Sequence, residues 1–178
     1  DAGRRPGSSY TFRSSRMSAR ISSGGIEVLG PDPWACDPIP GSSVRLVFVG
    51  GDSRSPVLPG PVAPVRITNL RGGATEVGGQ DGVAYETLVI PGVWEGVDVR
   101  FRARGASLEY VFEAEGPAAV RRIRMSVHGG RSVRATVGGG LEVDCGTSVL
   151  VQSAAVAMTL PLGRDSSPIA CTYEMRDA

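Results

Sequence analysis

The sequence predicts an all-β fold: an antiparallel β-sandwich or opened barrel of about a dozen short strands joined by Gly- and Pro-rich turns. Three observations carry this reading. Apolar and polar residues alternate with a period of two in one short segment after another, the pattern of strands with one buried face. The 178 residues include 25 glycines and 13 prolines, which suit tight turns and weaken helix interiors. No segment sustains the 3.6-residue apolar period of a long amphipathic helix. The length fits one domain, assigned to residues 16–178, behind a polar N-terminal segment over residues 1–15.

Taken in order, Met-Ser-Ala-Arg-Ile and Gly-Ile-Glu-Val-Leu, between Arg16 and Leu29, predict two strands joined by a glycine turn. Gly30 to Gly41 holds Pro31, Pro33, Pro38 and Pro40 around Trp34 and Cys36, so it predicts a loop. Val44, Leu46 and Phe48 alternate with Arg45, Val47 and Val49 in a strand that Gly50 and Gly51 stop. After a loop over Asp52 to Pro64, strands are expected at Val65 to Leu70 and Tyr85 to Ile90, followed by a turn at Pro91 to Gly96.

The strongest pattern comes next: Val97, Val99, Phe101 and Ala103 alternate with Asp98, Arg100, Arg102 and Arg104. Gly105-Ala106 suits a two-residue type II′ turn with glycine first, so the register with the following strand can be written down. Ala103 should face Leu108, Phe101 Tyr110, Val99 Phe112 and Arg102 Glu109. A slip of one residue would reverse both faces. Further on, Gly116 to Val120 reads as one irregular or helical turn. Ile123, Met125 and Val127 mark a strand with His128 on its polar phase. Val133 to Val137 and Leu141 to Cys145 form a hairpin about Gly138 to Gly140, and strands at Val149 to Met158 and Ile169 to Met175 complete the set.

Composition excludes several function classes. Nineteen basic residues, all arginine, nearly balance 18 acidic ones, so no general attraction to nucleic acid or an anionic membrane is expected. No apolar run reaches the roughly 20 residues of a spanning helix, so direct membrane insertion is not expected either. A chain that begins at Asp1 with a polar Gly/Arg/Ser segment is expected to be a fragment or a processed form. Cys36, Cys145 and Cys171 make no Cys-x-x-Cys pair, so no metal is expected; the expected arrangement is a Cys145–Cys171 disulfide with Cys36 free, ahead of a zinc site completed by His128. The glycine runs lack the Lys-Ser/Thr ending of a phosphate loop, and no cofactor is expected.

Candidate sites are few. His128 has no Gly-x-Ser-x-Gly elbow to serve and reads as an exposed strand-end residue. Glu86, Glu95, Asp98, Glu109 and Glu113 offer carboxylates for a hydrolytic pair, but their places on polar strand phases fit solvated surface charge better. Asp98 lacks the Asp-rich loop of a calcium site and reads as a turn-stabilising or arginine-pairing residue. Trp34, Tyr85 and Trp94 lie in or near expected loops, where they form a candidate aromatic platform for stacking on a sugar face, with plugging of the sandwich ends as the more common fate.

The stretch Ile90-Pro-Gly-Val-Trp-Glu-Gly-Val-Asp-Val-Arg-Phe, followed by Leu108-Glu-Tyr-Val-Phe-Glu and Ile123-Arg-Met-Ser-Val, resembles the β-rich domain near the N-terminus of bacterial proteins that carry SBBP β-propeller repeats. Ser43-Val-Arg-Leu-Val-Phe, Leu58-Pro-Gly60 and Gly140-Leu141 fall in the same order, so the resemblance covers residues 43–158. It departs at Val111, where the family has an acidic residue, and at Val65-Arg-Ile-Thr-Asn, which replaces an Asn-Tyr-Phe stretch. The resemblance implies a secreted or cell-surface bacterial protein, in which this domain binds neighbouring domains of the same polypeptide or another surface protein. The expected function is therefore a non-catalytic interaction or assembly module. A carbohydrate-binding module using the loop aromatics is the first alternative, and a hydrolase domain with a carboxylate pair is the second.

Overall fold

Strand-length stretches of alternating residues bury one face only when another sheet covers it, and this chain supplies two such sheets to each other. The computed structural model describes residues 9–29, 43–69, 80–146, 148–158, 169, 171 and 173–175. In chain order its strands are β1 (Tyr10–Arg13), β2 (Ser18–Ser22), β3 (Gly25–Val28), β4 (Val44–Phe48), β5 (Leu58–Pro59), β6 (Val62–Asn69), β7 (Gln80–Tyr85), β8 (Thr87–Trp94), β9 (Val97–Arg104) and β10 (Ser107–Ala114). The single-turn helix α1 (Pro117–Val120) follows, then β11 (Met125–His128), β12 (Ser132–Ala135), β13 (Leu141–Asp144) and β14 (Val149–Gln152). All the strand pairs are antiparallel, which makes the domain all-β and sandwich-like, with no closed barrel.

One sheet has the order β1-β2-β3-β4-β11 and the other β10-β9-β8-β5. Ile21, Ile26, Val44 and Phe48 point inward from the first, and Ile90, Val97, Val99 and Phe101 from the second, all in one buried cluster. Phe48 bridges the sheets, its ring centroid 5.5 Å from that of Trp94 and 6.3 Å from that of Phe112. Two smaller sheets complete the fold: the β6–β7 hairpin and the three strands β12-β13-β14, whose Val143 joins the common core.

The β9–β10 register is the expected one throughout, with Ala103 on Leu108, Phe101 on Tyr110, Val99 on Phe112 and Arg102 on Glu109. Gly105 carries the positive φ of 59°, as the first residue of a type II′ turn requires. The β2–β3 and β12–β13 hairpins and the turn at α1 also fall where the alternation places them. Gly25 opens β3 at φ 141°, and a Cβ there would lie 2.0 Å from the Leu46 carbonyl oxygen, so only glycine permits this approach of β3 to β4.

Several features differ from the sequence expectation: β5 and the start of β6 fall within the loop expected over Asp52 to Pro64, and β7 precedes the strand expected from Tyr85. A strand, β1, lies within the polar N-terminal segment; its two apolar residues, Tyr10 and Phe12, are too few to reveal a period, and pairing with β2 supplies the reason for the strand. Pro91 to Trp94 continue β8 rather than forming a turn. The register slips between Ile90 and Trp94, a bulge that tolerates the proline's missing N–H, and the reversal is confined to Glu95-Gly96. The expected strand from Val149 ends at Gln152. The one expected from Ile169 contributes a single bridge, with Ile169 N–H donating to the Ala157 carbonyl at 2.8 Å. The Pro-rich stretch at 30–41 lies outside the described residues.

Because Phe101 is 1 % exposed between the two sheets, Phe101→Ala should cost about 3–5 kcal/mol in urea unfolding. Val111→Ala, on the outward face of the same hairpin, should stay within about 0.5 kcal/mol of the parent.

Candidate functional site

The charged residues of β9 and β10 face outward and meet across the strands. Arg102 and Arg104 both reach Glu109, the latter at 3.3 Å, and Arg100 holds Glu113 with two parallel hydrogen bonds of 2.8 and 2.9 Å. The hydrogen bond from Arg102 holds the Glu109 carboxyl below its ordinary range, and that from Arg100 does the same for Glu113. Asp98 stabilises the β8 bulge: its Oδ1 accepts the Gly92 N–H at 2.7 Å. Glu95 pairs with Arg122 at 3.0 Å, and Glu86 is exposed just after β7. These five carboxylates therefore lie on an outward strand face and at strand ends, four of them already engaged, and they line no common cleft among the described residues.

The aromatic platform is not assembled. Trp94 is only 6 % exposed; its Nε1 donates to the Val49 carbonyl at 2.9 Å and its ring packs against Phe48 and Phe112. Continuation of β8 to Trp94 places it inward on the phase of Ile90, four residues earlier, and a ring held between sheets has no face to offer a sugar. Tyr85 is half-buried and meets Tyr10 edge-on at 5.9 Å, in contact with the sandwich rather than with Trp94. Trp34 lies outside the described residues.

His128 is exposed at the end of β11, opposite Arg45, and its Nε2 lies 2.8 Å from the Ser126 Oγ on the same strand face. The one carboxylate in that cross-strand row, Glu27, is held by Arg20 at 3.3 Å and Arg45 at 3.6 Å. Among the described residues, the Ser126–His128 pair thus lacks the third group that orients a catalytic base. Cys145 and Cys171 are free thiols, so the disulfide expected between them is not formed. The Cys145 Sγ turns back to the Val143 carbonyl at 3.5 Å, and Cys171 is exposed. Cys36 lies outside the described residues.

Two features escaped the sequence reading. A groove of about 390 Å³ is lined by Val49, Gly50, Trp94 and Glu95 together with Arg121, Arg122 and Arg124. The signal for it is Arg-Arg-Ile-Arg at 121–124, of which Arg122 and Arg124 fall on the polar phase of the strand expected over Ile123 to Val127. The second is the outer edge of β14, where Val149 and Val151 are 55 % and 65 % exposed. Alternation marked these valines as strand residues without saying that their face would remain uncovered.

Tyr110 is the one buried polar group without a partner among the described residues. Burial pushes its hydroxyl well above the ordinary tyrosine range, with Tyr173 adding to the rise.

The fold and these surfaces define an all-β sandwich-like domain whose charged groups are arranged chiefly as cross-strand pairs. The chain belongs to the family described as Domain of unknown function (DUF7948), whose model matches residues 5–178. No curated protein and no solved structure matches it.

The exposed Arg100–Glu113 pair should show a coupling of no more than about 1 kcal/mol in a double-mutant cycle with Arg100→Ala and Glu113→Ala. The raised pKa of Tyr110 means that folding favours its protonated form. Its contribution is therefore complete below about pH 10, the unfolded value, and is lost as the pH rises toward the higher folded value. Tyr110→Phe removes the unpaired hydroxyl. It should raise stability at neutral pH by about 1 kcal/mol and flatten the alkaline loss in unfolding curves recorded from pH 7 to 11.

Proposed function

We propose that this domain is a non-catalytic interaction and assembly module of an extracellular or cell-surface protein. The observation that carries the reading is the edge of the three-stranded sheet. Val133, Val143 and Leu150 share the inward face, whereas Val149 and Val151 point outward on β14. Strand β14 ends its sheet, with no strand beyond it among the described residues. An edge strand with unpaired backbone groups and exposed valines is suited to docking against another polypeptide and is a liability when left bare. Val156 and Met158, just beyond β14, are also exposed and extend the apolar surface. The extracellular setting and the choice of partner, a neighbouring domain or another surface protein, rest on the resemblance over residues 43–158.

A photo-crosslinking residue placed at Val151 in the producing cells should give one discrete adduct, either to another protein or to a second domain of the same polypeptide. The same residue at Val111 should give none, and Val149→Lys should abolish the adduct at 151. Equal labelling at 111 and 151, or none at either, would count against the module. Turnover of a hydrolase substrate that His128→Ala abolishes would point to an enzyme. A glycan-array signal lost in Trp34→Ala would favour carbohydrate binding.

A further inference from the structure

We infer that the arginine-lined groove beside α1 is an anion-recognition site that takes a carboxylate-rich peptide segment of a partner protein. It is separate from the β14 edge and goes beyond the assembly reading, so either can fail alone.

The sequence places three guanidinium groups within four residues, and the fold brings all three to the rim of one groove. Arg122 is already paired with Glu95 through Oε2 at 3.0 Å and reaches the Glu95 carbonyl at 3.4 Å. Arg121 and Arg124 are exposed, with no carboxylate or hydrogen-bond partner for their guanidinium groups among the described residues. The groove therefore carries three positive charges against the single negative charge of Glu95. Like charges held together on one short segment repel unless an anion offsets them.

The backbone beneath these side chains is well tied. Arg122 N–H donates to the Ala119 carbonyl at 2.9 Å, Ile123 N–H to Val120 at 3.1 Å, and the Arg124 carbonyl accepts the Val49 N–H at 2.9 Å. An ordered base lowers the entropy lost when the guanidinium groups engage a ligand. Gly50, which also lines the groove, adopts φ 69°, and a Cβ there would meet nothing within 4 Å, so an extended backbone has room to approach.

Three considerations select the ligand. The planar guanidinium fork matches a carboxylate with two parallel hydrogen bonds, the geometry Arg100 already makes with Glu113 inside this molecule. Among the described residues the only aromatic lining the groove is Trp94, whose ring is packed between the sheets, so a pyranose finds no exposed face there on which to stack. The positive charge is local, in a chain whose net charge is +1, which suits a short acidic segment better than the extended phosphate backbone of a nucleic acid.

The probe is a fluorescent hexaglutamate peptide titrated with the 178-residue chain and read by anisotropy. Binding should be saturable and should weaken with added salt. Arg121→Glu and Arg124→Glu should each lower affinity about tenfold or more, whereas Arg16→Glu, an equal charge change on an exposed turn elsewhere, should leave it within about twofold. Arg121→Gln and Arg124→Gln, with melting curves for every variant, separate lost recognition from lost folding. No saturable binding, or equal losses in all three charge reversals, would overturn the proposal. It would also be overturned if a sulfated oligosaccharide or a single-stranded RNA of equal charge bound more tightly than the peptide through the same arginines.

Discussion

Phe48 sits where the two large sheets meet, and much of the structure depends on its contacts with Trp94 and Phe112. The three rings lie within 6.3 Å of one another, edge to face or tilted, the geometry that the charge distribution of aromatic rings favours. Each comes from a different part of the chain: β4, the end of β8 and β10. Their convergence sets how the sheets lie against each other. Trp94 stands four residues after Ile90 and so shares its buried phase, and the bulge between them, in which Ile90 faces Val99 and Trp94 faces Val97, keeps that phase because it inserts two residues. Asp98 accepts the Gly92 N–H within the bulge.

That constraint separates core from surface. With the tryptophan and both phenylalanines spent between the sheets, the outward faces are left to arginine and glutamate. Arg20, Glu27 and Arg45 form one row across the first sheet, and Arg102 with Glu109 occupies another on the second. Exposed pairs of this kind contribute little to stability, but they keep strand faces soluble and in register. This pairing lapses at the exposed valines of β14 and at Arg121 and Arg124 beside α1.

The sequence carried the β9–β10 hairpin down to individual cross-strand pairs, because a type II′ glycine, an eight-residue alternation and opposite charges all select the same register. It carried β2–β3, β4 and β12–β13 for the same reason: strand faces depend on local period, and turns depend on local glycine. The candidate site was much less legible. Trp94 looked like a loop aromatic because Pro91 and Gly92 precede it, and only the continuation of β8 through that proline carries it inward. Cys145 and Cys171 looked like partners because both sat in strand-like segments, yet a disulfide needs two Cβ atoms about 3.5–4.5 Å apart, a distance that alternation does not encode.

By itself, then, the sequence determined the all-β class, most strand positions and which residues of each strand share a face, because these follow from the two-residue period and from the backbone freedom of glycine. Tertiary structure decided which strands became neighbours. It alone paired β11 with β4 across 76 intervening residues, drew Tyr10–Arg13 into the first sheet, buried Trp94 and gathered Arg121, Arg122 and Arg124 at one groove. The physical reason is that long-range pairing is selected by the summed burial of many side chains, whereas the local pattern records only what each short segment prefers.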